Sequence, residues 1–237
     1  MKAIIRALGL PSLFKGNELE PTIILVMSAL LLSVHRVFGS IEFARAAFVG
    51  WSGLESSLFM FVSAFVLLGA IPFLTLVVLF KADPADYGLR IGNWKLGLTT
   101  ALVLIVPIVL ALLYPASQTP EMRSFYPFAK EAIDSPSTLV MLEVTRGVFF
   151  YTAWEFFFRG FMLFGLRRYV GDWLAICIQV IPQCLWHIGM PTSELLSSIA
   201  GGFLFGIMAL RTQSIIWPWL LHYLIGIGLD VLIVVTS

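Results

Sequence analysis

A glutamate and an arginine stand within the apolar stretch YTAWEFFFRGFMLFG, which runs from Tyr151 to Gly165. Glu155 and Arg159 are four residues apart, so a helix places one above the other on the same face. Ionised groups at membrane depth are costly and persist mostly where they face a cavity or a partner. A buried ion pair that locks two helices together explains the two residues as well as a reactive site does.

Two histidines further along the chain, His187 and His222, favour the reactive site because they also lie in apolar segments. Gln179 and Gln183 precede His187 at four-residue spacing, which predicts a polar stripe facing a water-accessible cavity. At about 1.5 Å per residue from the predicted cytoplasmic helix ends, His222, Glu155 and His187 lie about 12, 17 and 21 Å deep. Polar groups from three helices are therefore expected in one slab of the membrane, as in a functional site.

The chemistry that these side chains offer is water activation. A carboxylate and an imidazole together polarise a water molecule for attack on a carbonyl, while a second imidazole stabilises the oxyanion. This is the chemistry of a peptidase without a covalent intermediate. The alternative is a zinc ion held by Glu155, His187 and His222, although the chain has no HExxH motif to support it.

The composition places these residues in a membrane. Of the 237 residues, 59% are hydrophobic and 12% are charged, and the mean hydropathy is +0.94. These values exclude a soluble globular domain and indicate a polytopic membrane protein. The net charge of +1 gives no sign of nucleic-acid binding. We therefore expect an all-α integral membrane helix bundle, with the lipid bilayer and a membrane-associated peptide or protein as partners and no nucleic acid.

Apolar segments predict about seven transmembrane helices, at about 21–34, 56–80, 96–114, 138–166, 173–190, 195–210 and 214–235. Residues 1–20 carry charges around a proline, which favours an interfacial segment over a cleaved signal peptide. The polar connection 115–137 is expected to include a short surface helix. The chain thus divides into residues 1–138, with the interfacial segment and three transmembrane helices, and residues 139–237, a four-helix core.

Lysines and arginines predict the orientation, because cytoplasmic loops carry an excess of them. With seven spans, the N-terminal side receives Lys2, Arg6, Lys15, Lys81, Arg90, Lys95, Arg167, Arg168 and Arg211, and the other side receives Arg36, Arg45, Arg123 and Lys130. The N-terminus is therefore expected in the cytoplasm.

Two further patterns are expected to be structural. Glu143 and Arg146 are three residues apart near the start of the fourth span and are expected to pair near the interface, on a different face from the ionised pair above. Gly202 and Gly206, with Ser198 one turn earlier, form the small-residue pattern that favours close helix packing.

Three motifs resemble those of the CAAX protease and bacteriocin-processing family, the Abi-type intramembrane proteases. WEFFFRG resembles the family's first motif, EExxxR; QCLWH resembles the second, FxxxH; and HYLIG resembles the third, HxxxN. The resemblance extends over the four-helix core and makes it the expected catalytic core. It carries over residue by residue only to Glu155, Arg159, His187 and His222.

Three positions depart from the family pattern. Trp154 stands where the first Glu is expected, Gln183 where the Phe is expected and Gly226 where the Asn is expected. In the family, that Glu activates water and that Asn helps the oxyanion hole, so both roles need other residues here. Asp230 and Glu194 are candidates to complete a modified site, with Gln183 in support; both acids fit equally well as boundary charges.

The resemblance implies an intramembrane endopeptidase of the CAAX-protease type, in the bacterial inner (plasma) membrane, that cleaves a membrane-associated or prenylated peptide. Glu155 with His187 is expected to polarise the water, His222 to donate to the oxyanion, and Arg159 to orient Glu155. No cofactor is expected, with zinc as the alternative. The rival function is that of a catalytically degenerate relative that binds a membrane peptide or serves bacteriocin immunity. A transporter is disfavoured because the chain shows no repeated halves.

Overall fold

The computed structural model describes residues 18–237, and its regular structure in that range is helical with no strand. The helices are α1 Leu19–Phe38, α2 Ile41–Ala47, α3 Gly53–Leu79, α4 Trp94–Ser117, α5 Pro120–Phe125, α6 over residues 136–170, α7 Asp172–Trp186, α8 Thr192–Thr212 and α9 Ile216–Val235. The predicted all-α fold is confirmed, and α5 is the surface helix expected in the long connection. Of the interfacial segment predicted over residues 1–20, residues 1–17 lie outside the described part of the chain.

Seven of these helices run alternately between the two ends of the bundle. At one end, Glu20 at the start of α1 accepts hydrogen bonds from Tyr87, which lies between α3 and α4, and from Arg168 at the end of α6. At the other end, Glu121 in α5 accepts from the backbone N–H of Thr192 at the start of α8. Within residues 18–237, five helices (α1, α3, α4, α8 and α9) are long and apolar enough to cross a membrane.

Helix α6 is the buried centre of the bundle. Every residue from Phe156 to Leu166 is buried, whereas α4 exposes many of its large apolar side chains. A helix that is hydrophobic all round is expected in the interior. Wide π-helical turns, Arg146–Tyr151 and Phe156–Phe164, flank the segment that carries Glu155. Such turns are frequent at functional sites, but α3 and α4 contain them as well, so here they do not single out Glu155.

Helices α7 and α8 approach closely along the small residues of α8. A Cβ added to Gly202 would lie 2.8 Å from Cγ2 of Val180, and one added to Gly206 would lie 3.3 Å from Ile176. Small residues let helix backbones approach in this way where lipid removes the hydrophobic driving force for association. The predicted packing role of the small-residue pattern is confirmed.

The glutamine stripe of α7 serves the same contact. Nε2 of Gln179 donates to the carbonyl of Gly202 at 3.0 Å, and Nε2 of Gln183 donates to the carbonyl of Ser198 at 3.2 Å. Both side chains are buried. The expectation that the stripe faces a water-accessible cavity is wrong, because the amides satisfy the backbone of the neighbouring helix.

Replacing Gly202 by leucine should lower the thermal stability of the purified protein in detergent. The new side chain would collide with α7, and overpacking typically costs about 1–3 kcal/mol. The matched control is Gly201→Leu, because a Cβ at Gly201 would meet nothing within 4 Å. Equal melting temperatures for the two variants would show that α7 and α8 do not pack as described.

The predicted orientation is tested by cysteine labelling in intact cells. With Cys177 and Cys184 replaced, Ile91→Cys should be protected from an impermeant reagent and Ser124→Cys should react with it. The two positions are exposed and lie at opposite ends of the bundle. The reverse pattern of labelling would place the N-terminus outside.

Candidate active site

A hydrogen bond joins Glu155 in the middle of α6 to His222 in the second turn of α9. Nδ1 of His222 lies 2.6 Å from Oε1 of Glu155, and the carboxylate is fully buried while 20% of the imidazole is exposed. A carboxylate oxygen accepts, so Nδ1 carries the hydrogen and Nε2 keeps its lone pair. The carboxylate thereby fixes the tautomer and stabilises the imidazolium that forms when Nε2 takes a proton, as in a catalytic triad.

Arg159 lies on the other side of the same carboxylate. Its Nε is 3.2 Å from Oε2 of Glu155, and neither side chain is exposed. The guanidinium lies over the ring of Phe205 at 5.3 Å and near the ring of Phe158 at 5.9 Å. The predicted buried ion pair is confirmed. Because both rings cover the guanidinium, Arg159 supports the carboxylate from within the bundle.

His187 caps the end of α7 and is held in the same tautomer as His222. Its Nδ1 lies 2.7 Å from the carbonyl oxygen of Gln183, which can only accept, so Nε2 keeps its lone pair. The imidazole stands edge-on to the indole of Trp154 at 5.8 Å. It also lies within electrostatic reach of His222 and Arg159. The predicted residues from α6, α7 and α9 are thus neighbours in one region of the bundle.

Trp154 belongs to an aromatic cluster beside His187. Its indole contacts the rings of Phe150 at 5.4 Å and Trp186 at 4.7 Å, and only 1% of the residue is exposed. Its Nε1–H has no acceptor among residues 18–237. An indole donates and cannot act as a base, so Trp154 does not replace the carboxylate that the family motif has at this position.

The two acids considered as supporting residues, Asp230 and Glu194, lie in a second polar cluster. Oδ2 of Asp230 is 3.2 Å from Nη1 of Arg146, whose Nη2 donates to Oε2 of Glu143 at 2.7 Å. Glu194 accepts from the hydroxyl of Tyr126 at 2.7 Å. The predicted pairing of Glu143 with Arg146 is confirmed and extends to Asp230. Neither Asp230 nor Glu194 bonds to the glutamate–histidine pair of the first site.

The Tyr126 phenol stays a neutral donor in this second cluster. Burial raises the pKa of Tyr126 well above its ordinary value, and the neighbouring Glu194 carboxylate raises it further. The phenol therefore donates to Glu194 as a neutral group.

Tyr151 is not part of any of the three motifs, yet it lies against the site. Its ring centroid is 4.4 Å from that of His222, and a Cβ added to Gly226 would lie 2.1 Å from its hydroxyl oxygen. Tyr151 precedes Glu155 by one helical turn and so shares its face. That i,i+4 spacing is the signal by which the sequence points to Tyr151.

The side chains at the site do not fit a zinc ion. Among residues 18–237, no three His, Cys, Asp or Glu side chains are grouped so as to hold a metal ion. One oxygen of Glu155 bonds to His222 and the other faces Arg159, so neither is directed to a common point with both histidines.

Comparison with known families matches residues 136–227 to the type II CAAX prenyl endopeptidase Rce1-like family. The resemblance to the CAAX proteases is confirmed. The matched segment begins with α6, ends within α9 and contains all four residues carried over from the motifs. The matched segment also contains the three departures, at Trp154, Gln183 and Gly226. No curated protein and no solved structure matches the chain.

Substituting Arg159 by alanine should strongly destabilise the protein. Removing one partner of a buried ion pair leaves an uncompensated charge and typically costs about 3–5 kcal/mol. The control on the same helix is Arg167→Ala. It removes an ion pair with Asp172, whose side chain is 57% exposed. Such exposed pairs typically contribute about 0–1 kcal/mol. Thermal unfolding in detergent would measure both, and a small loss in Arg159→Ala would contradict the buried pair.

Proposed function

We propose that this protein is a membrane-embedded endopeptidase of the CAAX-protease type, which cleaves a membrane-associated or prenylated peptide with water activated by His222. The observation that carries the proposal is the 2.6 Å hydrogen bond between Glu155 and Nδ1 of His222. It leaves Nε2 of a partly exposed histidine as a base, with a buried carboxylate behind it. The family match to a CAAX prenyl endopeptidase supports the substrate class.

In the proposed reaction, Nε2 of His222 takes a proton from a water molecule, and the resulting hydroxide attacks the peptide carbonyl carbon. Glu155 stabilises the imidazolium, and Arg159 holds Glu155 in place. The tetrahedral intermediate collapses when His222 returns the proton to the leaving amine and the C–N bond breaks. Direct activation of water by Glu155 is less well supported, because its carboxylate is fully buried and both of its oxygens face protein groups.

His187 contributes a second acceptor in this proposal. Its Nδ1–H is engaged by the Gln183 carbonyl, and its Nε2 makes no hydrogen bond within residues 18–237. That nitrogen is suited to accept from the attacking water or from a substrate N–H. The expected loss on removing His187 is therefore in positioning the reactants, which contributes to the rate through geometry.

The protein's setting also forms part of the proposal. Five apolar helices and the family match support an integral membrane protein. We propose that it resides in the bacterial inner (plasma) membrane with its N-terminus in the cytoplasm, as the distribution of lysine and arginine predicts.

A catalytically degenerate peptide-binding or immunity protein is the second candidate, and Trp154 favours it. The indole occupies the position of a carboxylate in the family's first motif, and it is sealed against Trp186 and His187. Asp230 does not replace that carboxylate, because it pairs with Arg146. A protein that had lost its first acid and kept its fold would have this arrangement.

The deciding experiment is a cleavage assay in proteoliposomes with prenylated and unprenylated membrane-anchored peptides. Glu155→Gln, His187→Ala and His222→Ala should each lose activity, by about 10²–10⁴-fold where acid–base catalysis is removed. Glu42→Gln, at an exposed position on α2, is the control and should retain full activity.

Each outcome of this assay has a distinct meaning. Loss in the three variants with no response to a chelator supports the metal-free peptidase, and chelator-sensitive activity supports zinc. Full activity in His222→Ala would exclude this site, whereas binding of the peptides without cleavage by the wild type would favour the degenerate relative.

A further inference from the structure

We infer that the hydroxyl of Tyr151 is the oxyanion donor of this site and that Gly226 is the residue that makes room for it. The inference rests on the proposed peptidase function and adds a catalytic residue to it. Tyr151 is supplied by α6, one turn before Glu155, and Gly226 by α9, one turn after His222. Each of the two positions therefore lies one helical turn from a member of the hydrogen-bonded pair.

The glycine and the tyrosine fit each other sterically. A Cβ added to Gly226 would lie 2.1 Å from the Tyr151 hydroxyl oxygen and 2.9 Å from Cζ, closer than real Cβ atoms approach other heavy atoms. Only glycine therefore tolerates the ring in this place. The hydroxyl therefore occupies the space in which a side chain at position 226 would begin. Gly226 lies one turn from His222, so this space is on the helix face that carries the imidazole.

The hydroxyl of Tyr151 has no hydrogen-bond partner among residues 18–237, although only 7% of the residue is exposed. Buried tyrosine hydroxyls normally find a partner, and an exception calls for a ligand or a water to satisfy it. The polar side chains of Gln179 and Gln183 in the same bundle bond to backbone carbonyls. The Oε1 atoms of both glutamines are enclosed and have no partner, whereas the Tyr151 hydroxyl is not fully enclosed, so it marks a place that a substrate oxygen can reach.

The site needs a donor that the histidines do not supply. His222 and His187 both use Nδ1–H in hydrogen bonds within the protein, which leaves two acceptor nitrogens. The guanidinium of Arg159 has N–H groups without acceptors, but it is fully buried beneath two phenylalanine rings. Tyr151 is the donor that touches the imidazole of the base, with their ring centroids 4.4 Å apart.

The ring of Tyr151 also contacts a paired cation. The guanidinium carbon of Arg146 lies 5.6 Å from the centroid of the Tyr151 ring. Arg146 is paired with Glu143 and Asp230, so it adds little positive potential at the hydroxyl, and the stabilisation of an oxyanion has to come from the hydrogen bond itself. Donors aimed at developing charge in a site that excludes water are among the largest single contributions to catalysis.

Nε2 of His222 accepts the proton of water, the hydroxide oxygen bonds to the peptide carbon, and the carbonyl oxygen gains the negative charge. Tyr151 donates a hydrogen bond to that oxygen and keeps its proton throughout. When the C–N bond breaks, the nitrogen takes the proton held by His222, the carbonyl forms again, and Tyr151 and His222 return to their starting states.

Tyr151→Phe is the direct test, because it removes the hydroxyl and keeps the aromatic ring. In the proteoliposome assay, kcat should fall by about 10²–10³-fold with KM little changed, as when an oxyanion donor is removed elsewhere. Tyr223→Phe is the matched control: its ring is also adjacent, 6.2 Å from that of Tyr151, and its activity should match the wild type. Retained kcat in Tyr151→Phe, in a protein that His222→Ala inactivates, would overturn the inference and leave the proposed peptidase intact.

A binding measurement tests the same donor without turnover. A membrane-anchored peptide phosphonate presents a tetrahedral anionic group, whereas its parent amide does not. The wild type should prefer the phosphonate, and Tyr151→Phe should lose that preference by at least about tenfold while binding the amide unchanged. An unchanged preference would reject Tyr151 as the donor even if the protein cleaves no peptide.

A double substitution separates the hydroxyl from the ring. Tyr151→Ala alone should lose activity, and Gly226→Asn alone should lose it because the new side chain collides with Tyr151. Combined, the two changes place an amide N–H donor in the vacated space, and kcat should recover by at least about tenfold relative to Tyr151→Ala. A folded double variant, judged by its melting temperature, that shows no recovery would count against the shared space as a donor position.

Discussion

The structure depends on one buried carboxylate. Glu155 is completely buried in the centre of a membrane bundle, where an unpaired ionised group would be very costly. Arg159, one turn along the same helix, pairs with one oxygen of that carboxylate. His222, from α9, forms a hydrogen bond with the other oxygen. Meeting this requirement favours one rotation of α6 and one height of α9 against it. The same requirement gives His222 the tautomer of a base.

Other polar groups in the bundle follow the same rule and show what a structural polar group looks like here. Gln179 and Gln183 of α7 satisfy carbonyls of α8, and Arg146 satisfies two acids, Glu143 and Asp230. Each serves a contact between helices, or within one, that packing alone would not specify. Unpaired polar atoms remain elsewhere among residues 18–237, such as Nε1 of Trp186. The Nε2 atoms of both histidines and the Tyr151 hydroxyl are unpaired where the family motifs meet.

The departures from the family motifs have different consequences. At Gly226 the missing side chain is matched by a phenol from the neighbouring helix, which enters the same space. At Trp154 nothing acidic takes the place of the missing carboxylate, and the indole joins an aromatic cluster. In the peptidase proposed above the base is His222, whereas a binding protein would need no replacement. The two candidate functions thus differ in what they require of a single imidazole nitrogen.

The sequence by itself determined the helical class, the apolar segments, the Glu155–Arg159 pair and the small-residue packing face of α8. These follow from local periodicity, because residues four apart share a helix face whatever surrounds the helix. The motifs likewise led to the CAAX-protease resemblance. Only the tertiary structure decided that the glutamines face α8, that His222 meets Glu155 and that Tyr151 fills the space at Gly226. Those outcomes depend on the rotation and height of one helix against another, which the packing of all neighbouring side chains sets together.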